Sequence, residues 1–245
     1  MIIQSVSQIT SISRPRTLIL LEIILDNYLY YLKTKRLVVE CLLVKRVLTV
    51  TYIAISRFLR WYYRTEITVS KKLLNIEKDR FIIVANHRKA IDPYLILITL
   101  PFDVFRTLLP IRFFTANVFL KYWWQRCFFL PFGCFRAYST EGKVSGVKGA
   151  LQLSDQGQSL FIFPEGKRVR NTKKVELKVG VTYLAQRRNF TIIPVNISYN
   201  RSSSKKKTQI IWGAPFKYIS NAQYENFNVI TRKIFRKVQV LSAQK

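Results

Sequence analysis

Histidine occurs once in the 245 residues, methionine once and cysteine three times. So sparse a set of soft donors leaves little from which to build a metal centre. Cys41, Cys127 and Cys134 have no metal-ligand spacing and no histidine near them. Three is an odd count, which argues against a disulfide framework and fits a reduced, cytoplasmic environment. Acids are scarce too: 13 Asp+Glu face 41 Lys+Arg, a formal net charge of +28. An excess of that sign attracts polyanions, either nucleic acid or an anionic lipid surface. No recognisable nucleic-acid-binding motif accompanies it, so nucleic acid is set aside as a partner. Long apolar runs are also missing. A spanning helix needs about 20 mainly apolar residues, and Lys33, Lys35, Arg36, Glu40, Lys45, Arg46, Arg57 and Arg60 break every such window. Residues 17–25 are interrupted by Glu22 and followed by Asp26, which does not read as a secretory signal. Internal repeats are absent, and one Ser- and Lys-rich stretch, residues 201–207, reads as an exposed loop.

What remains is a chain rich in apolar and ring side chains. Hydrophobic residues make up 49% and aromatics 14%, enough to bury a sizeable core. Trp61, Trp123, Trp124 and Trp212 are among them. Tryptophan and tyrosine favour the headgroup region of bilayers, so the polyanion expected is a membrane surface. Residues 17–65 have a helical pattern in which charges recur at turn-like intervals, within an N-terminal region taken as residues 1–65. Glu22 and Asp26 would share one helix face, and Arg57, Arg60 and Arg64 another. The segment is therefore expected to form amphipathic helices lying in the membrane interface, the alternative being a helical hairpin packed on the domain. The protein is accordingly expected at the cytoplasmic face of a membrane as a peripheral, monotopic species.

From residue 66 to residue 245 strands and helices alternate, the pattern of an α/β domain with a mixed sheet flanked by helices. Residues 81–85, 160–163, 191–197 and 209–212 are the clearest strands. Residues 93–100, 142–153 and 177–186 read as helices between them, with Pro93 suited to a first helical turn.

Two strand ends carry the chemistry. The apolar run 81–85 ends in Asn86-His87-Arg88-Lys89-Ala90-Ile91-Asp92, and residues 160–163 end in Pro164-Glu165-Gly166-Lys167-Arg168. A histidine that titrates near neutral pH can take a proton from a hydroxyl, and a carboxylate nearby can hold its tautomer. Standing before Pro93, Asp92 is also suited to cap a helix with its carboxylate. Glu165, Lys167 and Arg168 should project from a turn, where an arginine can take a phosphate through paired charged hydrogen bonds. From Gly166 to Lys207 there are twelve Lys or Arg and a single acid, Glu176, so a strongly positive rim is expected. The ring-rich stretch 113–132 reads as core, with an acyl-chain groove or a bilayer-facing wedge as the functional alternative.

Asn86-His87 with Asp92 resembles the His-x4-Asp motif of the glycerolipid acyltransferase superfamily. Phe163-Pro164-Glu165-Gly166-Lys167-Arg168 is similar to its Phe-Pro-Glu-Gly-x-Arg motif. Lys178-x-Gly180, Ile192-Ile193-Pro194-Val195 and Gly213-x-Pro215 look like its later elements, in the same order across residues 80–216. The resemblance implies transfer of an acyl group from a thioester, on coenzyme A or acyl carrier protein, to the free hydroxyl of a lysophospholipid. The acceptor it favours is 1-acylglycerol-3-phosphate, with glycerol 3-phosphate, other lysophospholipids or a lyso-aminolipid as alternatives. It also implies His87 as base, Asp92 as its partner, and Glu165, Gly166, Lys167 and Arg168 at the glycerophosphate head. No metal or bound cofactor is expected. Departures stand out: Lys89 occupies a place where serine is common, and Lys167 and Val169 replace the usual Thr and Ser. Gly133-Cys134-Phe135-Arg136 puts Arg136, which the resemblance implies as the family's phosphate-holding arginine, earlier than usual. Two other classes compete: an inactive membrane-binding relative, disfavoured because His87 and Asp92 are both present, and a covalent acyl-enzyme through Cys134 or Ser139, which has no neighbouring base in sequence.

Overall fold

The computed structural model describes residues 16–136, 143–169, 176–200, 207–218 and 226–243, with side chains from residue 39 onward except at 117, 118, 136, 143–146, 187 and 188. The chain divides into two compact units, Met1–Cys41 and Leu42–Lys245. The loop expected at 201–207 lies outside the described residues apart from Lys207.

Helix α1 (Arg16–Tyr62) contributes to both units. Several helices or a hairpin were expected here; one unbroken helix forms, because no proline or glycine interrupts residues 16–62. Among the described residues no helix is long and apolar enough to cross a membrane. The expected basic face is also revised. Arg60 is not turned out beside Arg57: its Nε donates to the Ile98 carbonyl at 2.7 Å, and Nη2 donates to that same oxygen and to the Tyr52 hydroxyl. The cation sits at the C-terminal end of a following helix, where Ile98 is the C-cap, a place that favours positive charge. Arg64 has already left α1, with a left-handed φ of 45°.

Beyond α1 the second unit is built on an eight-stranded sheet. Its strands are β1 (Thr65–Val69), β2 (Phe81–Ala85), β3 (Ile111–Thr115), β4 (Cys134–Arg136), β5 (Ser159–Ile162), β6 (Thr191–Asn200), β7 (Lys207–Trp212) and β8 (Phe216–Lys217). They lie in the order β1-β7-β6-β2-β5-β3-β4, with β8 also on β6. All pairings are parallel except those of β6 with β7 and with β8. The sheet is therefore mixed, and helices cover both faces. Between the strands run α2 (Lys71–Leu74), α3 (Asp92–Leu97), α4 (Phe102–Leu108), α5 (Trp123–Phe129), α6 (Lys143–Asp155), α7 (Gly180–Arg188) and, last, α8 (Phe227–Val240).

The continuous apolar reading of β2 follows from this. Phe81, Ile83 and Ala85 join one buried cluster with α3, α4 and the Val44 and Leu48 side chains of α1; Ile82 and Val84 join a second with α6, α7 and α8. A strand covered on both sides has no polar face to alternate. Each large side chain so buried stabilises the fold by about 1.5–3 kcal/mol. Because β2, β5 and β6 are parallel and adjacent, the ends of β2 and β5 and the continuation of β6 meet on one edge of the sheet. That edge holds both charged motifs.

Candidate active site

The first motif begins with a register lock. The Asn86 side chain pairs reciprocally with Ile197 of β6, its Nδ2 donating to the carbonyl at 2.9 Å and its Oδ1 accepting the amide at 2.8 Å. This rung of side chain on backbone extends the β2–β6 ladder by one residue and fixes where the next side chain, His87, leaves the sheet. Residues 87–91 then turn tightly enough for Asp92, fully buried at 0% exposure, to face back toward His87. Asp92 Oδ2 lies 3.1 Å from His87 Nδ1 and accepts the amides of Arg88 at 2.5 Å and Lys89 at 2.7 Å. The carboxylate does not cap α3 as expected; Ile91 takes the N-cap position and makes no side-chain cap bond. Asp92 is the first residue of the helix, and it captures the amides of the turn behind it instead. That turn is the fold-back that brings base and carboxylate together.

The second motif closes over the first. Phe163 stacks on the His87 ring, with centroids 4.1 Å apart and planes 18° off parallel. The Val169 amide donates to the His87 carbonyl at 2.9 Å, and Arg88 Nη1 donates to the Val169 carbonyl at 3.0 Å. Within this loop Gly166 adopts φ +63°, which favours glycine, and its own amide closes the turn onto Phe163. Lys167 and Arg168 project into solvent as expected. Glu165 does not. It is 2% exposed, and its Oε2 accepts the His87 amide at 2.5 Å. Turned inward by the proline-led turn, it braces the backbone of the histidine and is not open to a ligand.

Burial pushes the Glu165 carboxyl above its ordinary value of 4.5, opposed by the His87 amide and by the charges of Arg88 and His87, and reinforced by Asp92. A carboxyl raised on folding stabilises the fold most when protonated, and that stability is lost as pH rises through its folded pKa. Glu165→Gln keeps an acceptor for the His87 amide but carries no proton to lose. The variant should therefore gain stability relative to the parent between pH 4.5 and neutrality, read as a difference in urea midpoint that shrinks as the pH falls.

Tyr199 was not foreseen. It lies two residues beyond Ile197 on β6, hence on the same face, and its hydroxyl donates to Asp92 Oδ1 at 2.5 Å. The Lys89 ammonium sits 3.6 Å from the centroid of the Tyr199 ring, so the lysine that replaces a common serine packs on this tyrosine. Burial, and then the Asp92 carboxylate, hold the Tyr199 hydroxyl well above the usual phenol range, keeping it a donor. A hydrogen bond to a charged group contributes about 1.5–3 kcal/mol. Tyr199→Phe should lower stability by about that amount and kcat by about tenfold, checked by thermal unfolding beside steady-state kinetics. Arg136 ends β4 opposite Thr115 of β3; its side chain lies outside the described residues.

The geometry leaves His87 with one working nitrogen. Nδ1 faces a carboxylate that already receives three other donors, so Nδ1 carries the proton. Nε2 is then the basic nitrogen, and it has no partner among the described residues. The His87 side chain is 18% exposed, enough for a hydroxyl to reach it. Among the described residues no three of His, Cys, Asp and Glu converge as a metal cage requires. Cys134 is buried, and burial raises its thiol, the reverse of what a nucleophile needs. Ser139 lies outside the described residues.

The crystal structure of the 1-acyl-sn-glycerophosphate (LPA) acyltransferase PlsC from Thermotoga maritima aligns with a TM-score of 0.53, covering 82% of this chain and 83% of that one at 17% identity. A Mycoplasma pneumoniae protein described as a probable 1-acyl-sn-glycerol-3-phosphate acyltransferase is 27% identical over 187 residues, 69% of either chain. Residues 66–198, more than half the chain and the part that carries both motifs, match the Acyltransferase family. The chain belongs to the acyltransferase family.

Proposed function

We propose that the protein moves a fatty acyl group from an acyl thioester, on coenzyme A or acyl carrier protein, to the free hydroxyl of 1-acylglycerol-3-phosphate, giving phosphatidic acid. The observation that carries this reading is the Asp92–His87 pair with Nε2 unengaged, set between a buried brace at Glu165 and the exposed cations Lys167 and Arg168. His87 Nε2 takes the hydroxyl proton as the acceptor oxygen attacks the thioester carbonyl. The new C–O bond forms and the C–S bond breaks. The departing thiolate takes the proton back from the imidazolium, and the neutral base is regenerated. Asp92 stabilises the imidazolium while it lasts. A thioester is already activated, so base assistance of about 10² to 10⁴ and the alignment of the two substrates supply the catalysis.

The relative from Mycoplasma pneumoniae supports the acceptor, and the cations of the second motif suit its phosphate. An anionic membrane surface is the partner that the net charge of +28 favours, with the protein held peripherally at the cytoplasmic face. The acceptor assignment is tested by kcat/KM for lysophosphatidate against glycerol 3-phosphate, lysophosphatidylcholine and a lyso-aminolipid, each with both thioester carriers. Lysophosphatidate should rank first by at least about tenfold: its phosphomonoester carries more charge toward Lys167 and Arg168 than a zwitterionic head, and its acyl chain, which glycerol 3-phosphate lacks, adds apolar burial. An equal or better rate with another acceptor overturns it.

A further inference from the structure

The stretch 113–132 divides in a way its sequence does not reveal. Phe113 is core, while six large apolar side chains further along stand in solvent: Phe119, Tyr122, Trp123, Trp124, Phe128 and Leu130, with Trp123 at 76% exposure. No residue of α5 is buried. A soluble monomer rarely leaves so contiguous an apolar patch in water.

This protrusion is built, not loose. Arg126 Nε donates to the Leu120 carbonyl at 2.9 Å, tying α5 to the turn before it. Gly133, at φ +83°, presses the loop so close to β3 that a Cβ there would stand 2.3 Å from the Ile111 carbonyl oxygen. Phe129 and Phe132 root it in the core cluster, and Phe132 packs edge-on to Tyr94 at 5.4 Å. Tyr94 belongs to α3, the helix whose first residue is Asp92. The element is thus fixed to the same short helix that supplies the carboxylate of the site.

Charge indicates what covers it. Residues 104–140 contain no Asp or Glu, and Lys121 and Arg126 flank the rings. Tryptophan and tyrosine with adjacent cations are the side chains that partition to the headgroup level of an anionic bilayer. A protein interface would bury the rings but gives no account of an acid-free stretch in a chain of +28.

We infer that α5 and its flanking turns form a wedge that inserts into the interface of an anionic lipid bilayer and sets the edge bearing His87 against that surface. The inference rests on the membrane reading above and adds the element that does the inserting. It applies to the headgroup layer, where a lysolipid acceptor would lie.

Cys127 on α5 is exposed, Cys134 is buried, and Cys41 is half-buried. In Cys41→Ser full-length protein an environment-sensitive fluorophore on Cys127 therefore reports on the wedge. With vesicles of phosphatidylglycerol and phosphatidylcholine its emission should shift to the blue and be quenched by lipids carrying a nitroxide near the headgroup. Independently, the unlabelled triple variant Trp123→Ser, Trp124→Ser, Phe128→Ser should bind those vesicles at least about tenfold more weakly, with unchanged circular dichroism and melting because none of the three is core. Vesicle binding with a fluorophore that remains water-like, or with undiminished affinity in the triple variant, overturns the wedge and leaves the membrane reading standing. No vesicle binding by the parent overturns both. A concentration-dependent dimer that the triple variant abolishes would assign the patch to a second copy of the chain and also overturn the wedge.

Discussion

His87→Ala lowers kcat for acyl transfer by about 10² to 10⁴ and leaves the melting temperature within a few degrees of the parent. The two halves of this expectation have separate causes. The backbone at residue 87 is held by its own amide and carbonyl, through Glu165 and Val169, and those bonds survive loss of the imidazole. What disappears is Nε2, and with it the group that removes the hydroxyl proton. KM for the acceptor should move less than kcat, since the exposed cations of the second motif remain. Steady-state kinetics beside a thermal melt read both halves; a variant with unaltered kcat would remove His87 from the chemistry.

Asp92→Asn is expected to be as severe in rate and worse in stability. In the parent the carboxylate accepts from four donors: His87 Nδ1, the amides of Arg88 and Lys89, and the Tyr199 hydroxyl. An asparagine offers one acceptor oxygen and an NH2 that must point at a donor. Either Tyr199 or the turn that carries His87 then loses its partner. Removing the charge also removes stabilisation of the imidazolium and the bias toward Nδ1–H. A loss of kcat on the order of 10³ to 10⁴ follows, with about 3–5 kcal/mol of stability because polar groups are left buried without partners. Denaturant unfolding and kcat together check this. Tyr199→Phe, which removes only one of the four donors, should fall between the parent and Asp92→Asn in both readouts.

Parts of this arrangement were legible in the chain itself. The run 81–85, ending in Asn86-His87, announced a buried strand leading to a polar turn, and β2 forms at those residues. Four residues between His87 and Asp92 were enough for a return turn. The direction of that return was not readable. Asp before Pro reads equally well as a helix cap, and only the position of the Arg88 and Lys89 amides decides against it. Glu165 misled for a similar reason: charged residues after a strand usually face water, and burial of this one depends on an amide 78 residues away. Tyr199 leaves no local signal, because its role exists only once β6 lies beside β2 and carries it to Asp92, 107 residues distant. Within α1, charges at turn-like spacing resembled a solvated basic face, yet Arg60 is spent on the end of α3. In each case the local residue type was read correctly and a long-range partner set its role. The aromatic stretch behaves in the opposite sense: six of its large apolar side chains are exposed, and the role inferred for α5 comes from that exposure and not from a long-range partner.

His87, held by Asp92, is the base proposed for acyl transfer to a lysophosphatidate hydroxyl. The direct measurement is phosphatidate formation from lysophosphatidate and acyl-coenzyme A or acyl carrier protein thioester, in phosphatidylglycerol-containing vesicles, by the parent and by His87→Ala of matched fold. Steady product formation by the parent and a rate at least about 100-fold lower in the variant are expected. Equal product from both proteins would contradict it, as would vesicle binding by the parent with no transfer from either thioester to any acceptor of the panel.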